Sequence, residues 1–181
     1  MYLCVNMKFG VVIFPGSNCD QDLIKVLETY TSEPVLKLWH KDIDLQGCTH
    51  IFVPGGFSYG DYLRSGAIAK LSPIMTAVAE HASNGGFVLG VCNGFQILCE
   101  SGLLPGALLR NTNMKFNCKN VHLKAGNTAL TATRKIGNND VLCVPIAHGE
   151  GRFYCDEQTL ADIEANGQVF FRYCDELGNT T

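Results

Sequence analysis

Four short apolar runs, two of them followed by stretches with helical spacing, constrain this chain more than any other feature. The runs are K-F-G-V-V-I-F (8–14), V-L-K-L-W (35–39), H-I-F-V-P (50–54) and F-V-L-G-V (87–91). Two are nearly continuous in apolar residues, the pattern of strands covered on both faces. Between the first two lies C-D-Q-D-L-I-K-V-L-E-T-Y (19–30). There Leu23, Val26, Leu27 and Tyr30 recur at i, i+3, i+4 and i+7, which predicts a helix with that stripe turned inward. The stretch S-P-I-M-T-A-V-A-E-H-A-S-N-G-G (72–86) predicts another helix: Ser72 suits the cap, Pro73 the first helical position, and Gly85-Gly86 the stop.

Strands and helices alternating in this order predict an α/β fold: a doubly wound, flavodoxin-like, mostly parallel sheet with helices on both faces. Ligands then gather at the carboxyl ends of the strands. Past Leu104 the pattern changes to shorter strands and turns, in A-L-L-R-N, V-H-L-K, V-L-C-V-P-I-A-H-G-E-G-R-F-Y and Q-V-F-F-R-Y, so a more β-rich C-terminal part is expected. With no repeat, low-complexity tract or linker in sight, residues 1–181 read as one domain. Residues 1–6 read as a non-core N-terminal extension, with Met7 a second candidate start.

Composition excludes several classes. The formal charge is −3 and the Lys and Arg residues are scattered, against a nucleic-acid partner. No run approaches the ~18 apolar residues of a membrane span, and the first ten residues are too short for a secretory signal. The nine cysteines are odd in number and contain no C-x-x-C pair. Zinc and tight redox spacings are therefore absent, no metal is expected, and the thiols fit a reducing cytoplasm.

The most specific stretch is G-V-C-N-G-F-Q (90–96), directly after the last apolar run. Gly90 and Gly94 flank Cys92 at two residues on either side, the spacing of a nucleophile elbow, in which small neighbours let backbone pack around a strained turn. The following F-Q-I-L-C-E-S-G-L-L reads as a helix ending near Gly102, which puts Cys92 at a helix N-terminus. That position favours a thiolate and offers N–H groups to an oxyanion. Cys99, inside the helix, and Cys143, inside a strand, read as structural.

Other features are less specific. V-P-G-G-F-S-Y-G-D-Y-L-R (53–64) is either a second oxyanion donor near Gly56 or only a tight turn. His148, in P-I-A-H-G-E-G-R-F-Y (145–154), either lines a site or is a hydrogen-bonded loop histidine. A thiol nucleophile ordinarily needs a base. His40 ends a strand within reach of the crevice, whereas His50, His81 and His122 read as structural. P-G-S-N-C-D (15–20) is a further strand-end turn, without the spacing of a phosphate-binding loop.

V-L-G-V-C-N-G-F-Q-I-L and V-P-G-G-F-S-Y-G-D-Y-L-R-S-G-A-I-A resemble the class I (triad) glutamine amidotransferases. F-P-G-S-N-C-D, G-L-L-P-G-A-L-L-R-N, P-I-A-H-G-E-G-R-F-Y and G-Q-V-F-F-R-Y-C-D narrow the resemblance to the small glutaminase subunits of phosphoribosylformylglycinamidine synthases. It runs from about Met7 to the last residue. The resemblance implies that Cys92 attacks the glutamine carboxamide to give a γ-glutamyl thioester. It implies an oxyanion site at the N–H groups of Gly56 and Asn93, and glutamine binding by Gly55, Gln96, His148 and Gly149. It also implies a large synthetase partner, with a further small subunit as an additional candidate. That partner uses ATP and magnesium to amidate formylglycinamide ribonucleotide in purine synthesis, and this chain carries no cofactor.

One departure stands out. The family completes its triad with a His-Pro-Glu motif on a late strand, and these 181 residues contain none; the family pattern continues beyond C-D-E-L-G-N-T-T. The chain therefore reads as C-terminally truncated, and by itself is expected to be a poor glutaminase. The alternatives are a non-catalytic module that docks on the synthetase or binds glutamine, and a different cysteine hydrolase with His40 or His148 as base.

Overall fold

The computed structural model describes residues 7–180; the predicted N-terminal extension, 1–6, lies outside them. The chain divides into two compact units, Met1–Pro105 and Gly106–Thr181.

The first unit contains the α/β alternation. Strand β1 (Phe9–Ile13) leads through α1 (Asp20–Tyr30) to β2 (Val35–Trp39) and then β3 (His50–Val53). After two short 3₁₀ turns, α2 (Pro73–Ser83) leads to β4 (Phe87–Gly90) and α3 (Asn93–Glu100). The four strands pair in parallel in the order β2-β1-β3-β4. Each lies within a residue or two of its expected position. The apolar runs are near-continuous because successive side chains point to opposite faces, and both faces are covered. On one face Phe9, Val11 and Phe52 pack against Ile24 of α1. On the other, Val12, Ile51 and Val53 pack against Ile74 and Val78 of α2 and Ile97 and Leu98 of α3. Helices thus cover opposite faces on either side of the β1–β3 pair, and the carboxyl ends of those strands frame the switch point where ligand sites form.

The buried face of α1 differs from the sequence reading. Ile24 is 5% exposed and Leu23 and Leu27 are partly buried, but Val26 is 52% exposed and Tyr30 84%. The inward stripe is centred on Ile24, which the i, i+3, i+4 count from Leu23 passed over.

The second unit holds a three-stranded antiparallel sheet, β7-β6-β9, made from Asn117–Ala125 (β6), Val141–His148 (β7) and Phe171–Cys174 (β9). A two-stranded ribbon pairs Ala107–Leu109 (β5) with Arg152–Tyr154 (β8). The β-rich expectation holds here, with one addition: α4 (Glu157–Ala165), whose N-cap Asp156 accepts a 2.7 Å hydrogen bond from Thr159 N–H. That bond holds the Asp156 carboxyl below the usual aspartate range.

Because α1 packs through Ile24, truncation there should be costly and truncation at Val26 nearly neutral. Ile24→Ala is expected to lose about 2–5 kcal/mol of unfolding free energy, and Val26→Ala less than about 0.5 kcal/mol. Urea denaturation of both variants measures the contrast. Equal losses would mean that the two residues are equally buried.

Candidate active site

The elbow forms at the carboxyl end of β4. Strand β4 ends at Gly90, α3 begins at Asn93, and Cys92 is its N-cap, with φ 54° and ψ −112°. A non-glycine residue at positive φ is strained by about 1–3 kcal/mol, and packing on both sides holds it there. A Cβ on Gly94 would overlap the Val53 carbonyl oxygen, and one on Gly90 would stand 2.6 Å from the Gly94 carbonyl carbon. The first turn of α3 therefore lies directly on the ends of β3 and β4. Val91 N–H donates to Val53 O at 3.0 Å and Gly94 N–H to Val91 O at 2.8 Å, closing the turn. The Cys92 side chain is left exposed.

Cys92 faces the turn that follows β3. A Cβ on Gly55 would sit 3.3 Å from the Cys92 Cβ, so the absence of a side chain at Gly55 leaves the space beside the sulfur open. Gly56 has φ 120°, and a Cβ there would be 2.6 Å from Asn18 N. Among the described residues, Gly56 N–H donates to no protein acceptor. Asn93 is the first residue of α3, a position whose N–H has no partner within its helix.

The sequence assigned only a backbone role to Asn93. Its side chain is 1% exposed and ties the site together. Oδ1 accepts from Ser58 N–H at 3.1 Å, and Nδ2 donates to Asp61 Oδ1 at 3.2 Å and to Gln96 Oε1 at 3.0 Å. Gln96 is thereby brought beside the elbow with its oxygen turned toward Asn93. The signal available in the sequence was an amide between Cys92 and Gly94, where a fully buried polar residue needs partners.

The 15–20 turn supports the same loop. Gly16 O accepts from Phe57 N–H at 2.9 Å, and Pro15 O from Tyr59 N–H at 2.6 Å. Tyr59, itself at φ 54°, shares hydrogen bonds with His40 Nδ1 at 2.6 Å and Ser72 Oγ at 2.9 Å. Ser72 occupies the N-cap of α2 as expected but makes no side-chain cap bond there. His40 is buried, and its Nδ1 is committed to Tyr59. Burial holds the imidazole pKa below its ordinary value, with Lys41 adding to the shift and Asp42 opposing it.

His148 and Gly149 belong to the second unit. His148 Nδ1 lies 3.0 Å from Asn111 Oδ1, and the ring packs over Gly151. Asn111, buried and not singled out from the sequence, donates through Nδ2 to Lys115 O and His148 O, both at 2.9 Å. Gly149 lines a cleft of about 280 Å³ with Arg110, Met114, Lys115, Phe116 and Glu150. Among the described residues no group of three or more His, Cys, Asp or Glu is placed to hold a metal ion, and no helix is long and apolar enough to cross a membrane.

Residues 6–181 match the CobB/CobQ-like glutamine amidotransferase domain family. The chain is 54% identical over 173 residues to phosphoribosylformylglycinamidine synthase subunit PurQ of Trichormus variabilis, covering 96% of this chain and 77% of that protein. It is 52% identical over 179 residues to the same subunit of Gloeobacter violaceus, with the same coverage of 96% and 77%. Among solved structures it is similar to a chain of PurLQS from Thermotoga maritima, with a TM-score of 0.82 and 38% identity, over 97% of this chain and 78% of that one.

The buried histidine has a consequence for pH. The folded-state pKa of His40 is lowered, so the unfolded chain takes up the proton first. Its contribution is complete above the unfolded value of about 6.5 and is lost as pH falls through the folded value. His50, also lowered by burial and then by His81, acts in the same direction. The urea midpoint should therefore fall between pH 7.5 and pH 5.5, and His40→Gln should flatten that slope. An unchanged slope would mean that His40 is not held neutral.

Proposed function

The chain belongs to the CobB/CobQ-like glutamine amidotransferase family and, within it, to the PurQ subunits of phosphoribosylformylglycinamidine synthase, and from that premise we propose that Cys92 is its nucleophile. It is a glutaminase subunit, which releases ammonia from glutamine and works with the PurL synthetase subunit in purine biosynthesis. The ammonia serves the amidation of formylglycinamide ribonucleotide. ATP and magnesium are assigned to the large partner, no cofactor to this chain, and the complex to the cytoplasm. A further small subunit fits the three-letter composition of the solved PurLQS relative. Both compact units together make one amidotransferase domain.

The carrying observation is the strained Cys92 turn between closely packed glycines, facing the bare Gly55. The Cys92 thiolate attacks the carboxamide carbon of glutamine, and the carbonyl oxygen takes the charge. The N–H groups of Gly56 and Asn93 stabilise that oxyanion by pointing fixed dipoles at charge that develops only in the transition state. The nitrogen takes up a proton and leaves as ammonia, which gives the γ-glutamyl thioester. Water then attacks the thioester, glutamate departs and the thiolate returns. Gly55 leaves room for the carboxamide, and Gln96, held by Asn93, lines its approach. By the family resemblance His148 and Gly149, in the second unit, fall in the family's glutamine-side loop.

Two steps need proton transfer: departure of ammonia and activation of water. The 181 residues contain no His-Pro-Glu, and His40 Nδ1 is occupied by Tyr59. General acid–base catalysis contributes roughly 10²–10⁴-fold, so the 181-residue polypeptide should be slower by about that factor than a version supplied with a His-Pro-Glu segment. The second reading, a non-catalytic module that docks on the synthetase or binds glutamine, is separated from the first by whether Cys92 reacts.

A chloroketone analogue of glutamine tests the nucleophile without requiring turnover. With the synthetase subunit present, intact-mass and peptide analysis should place one adduct on Cys92, and Cys92→Ala should take up none. Glutamate release should be abolished by the same substitution. An adduct on another cysteine would overturn the assignment. Absence of any adduct together with measurable glutamine binding would favour the module.

A further inference from the structure

A second cysteine stands beside the first. The Cβ that Gly55 lacks would lie 3.3 Å from the Cys92 Cβ and 3.7 Å from the Cys19 Cβ, so both side chains border the same empty point. Each is the N-cap of a helix, Cys19 of α1 and Cys92 of α3, and neither side chain is used as a capping acceptor. Both are exposed. The two helices lie on opposite faces of the sheet, and their N-termini converge at the carboxyl ends of β1 and β4, with the β3 turn between. The two Cβ atoms are therefore no more than about 7.0 Å apart.

We propose that Cys19 and Cys92 form a reversible oxidation site, in which a hydroperoxide oxidises Cys92 and Cys19 closes a disulfide onto it. The proposal rests on Cys92 being the reactive thiol. In the first step the Cys92 thiolate attacks one peroxide oxygen, the O–O bond breaks, and sulfenic acid forms with loss of hydroxide or alkoxide, which takes up a proton to become water or alcohol. In the second, the Cys19 thiol gives up its proton and attacks the Cys92 sulfur, releasing the sulfenic oxygen as water. Two thiols and one hydroperoxide give one disulfide and two hydroxyl-containing products, water or alcohol, so atoms and electrons balance.

The electrostatics set this order. Burial raises the Cys19 pKa first, the Cys92 charge raises it further, and Asp22 and Asp20 add to the effect. Conversion of Cys92 to a neutral sulfenic acid removes the Cys92 contribution, while burial, Asp22 and Asp20 continue to raise Cys19. The buried cysteines are poor competitors: burial and Glu100 push Cys99 up to about 11, and burial also raises Cys48.

A disulfide brings its Cβ atoms to about 3.5–4.5 Å. The bond would occupy the space above Gly55 and cover the sulfur that glutamine must reach. Overoxidation of Cys92 to sulfinic acid, which thiol reductants do not reverse, is thereby intercepted.

The test treats the protein with a severalfold molar excess of hydrogen peroxide, digests it without reductant and maps the sulfurs by mass spectrometry. A linked peptide joining Cys19 to Cys92, distinguished from Cys99 by fragmentation, is expected. Reactivity of Cys92 toward the chloroketone should be lost and then regained after dithiothreitol. In Cys19→Ser the same dose should leave Cys92 as sulfenic and sulfinic acid, with reactivity not regained by dithiothreitol once the sulfinic acid has formed. Circular dichroism of that variant before oxidation checks its fold. A wild-type protein with sulfinic acid at Cys92 and free Cys19 would overturn the proposal, as would full recovery in Cys19→Ser. Because the linked peptide is read from sulfur and not from ammonia, it fails or succeeds separately from the glutaminase assignment.

Discussion

The first turn of α3 lies so close to the end of β3 that Gly94 has no room for a methyl group against the Val53 carbonyl. Everything at the site depends on that contact. It fixes where the helix starts, so the chain leaves β4 and enters α3 within two residues, and Cys92 takes a positive φ in that turn. The strain, on the order of 1–3 kcal/mol, is local, and the Val91, Gly94 and Gln96 backbone hydrogen bonds around the elbow hold it in place. A thiol fixed in this way loses little conformational freedom on meeting a substrate, which is the physical use of preorganisation.

The loop after β3 is positioned by polar contacts as well as by the packing of Tyr59 on the core. Three strand ends contribute: the 15–16 carbonyls behind β1, His40 after β2, and Asn93 after β4. Within the loop Tyr59, Gly60 and Asp61 all have positive φ, so it does not hold its shape by backbone preference alone. His40 and Asn93 are buried, where an unmade hydrogen bond costs the full desolvation of the group. Ser72 illustrates the trade. At a helix N-cap its hydroxyl would ordinarily satisfy a backbone N–H, yet here it serves Tyr59 and the loop takes precedence over the helix end.

How much of this was legible depends on whether the cause is local. The parallel strands were legible because burial on both faces leaves an unbroken apolar run, and Gly90 and Gly94 because a close approach admits no side chain. The stripe of α1 was only half legible. Leu23 and Leu27 satisfy the helical period, but Ile24 on the adjacent position carries the burial, and only the placement of β1 and β3 decides between them. Helix α4 was missed because Leu160 and Ile163 are its main apolar residues, too few to set a period; its signal was the Asp156 cap. The side-chain role of Asn93 and the commitment of His40 to Tyr59 were not legible at all. Both join residues many positions apart through geometry that exists only after the sheet is wound.

The same consideration explains why Cys19 escaped notice. In the sequence it belongs to a strand-end turn more than seventy residues from Cys92, and nothing in its immediate neighbours marks it as a thiol of interest. The doubly wound sheet removes that separation: β1 and β4 run in the same direction with β3 between them, so whatever follows their carboxyl ends converges. A bare glycine is then needed in the turn after β3 to leave space above the elbow for a carboxamide. That space does not discriminate between a substrate and a neighbouring side chain. A site opened for a small amide is equally open to the thiol at its rim, whose pKa is raised first by burial and then by Cys92. Access for substrate and exposure to oxidation are thus two consequences of one missing Cβ at Gly55.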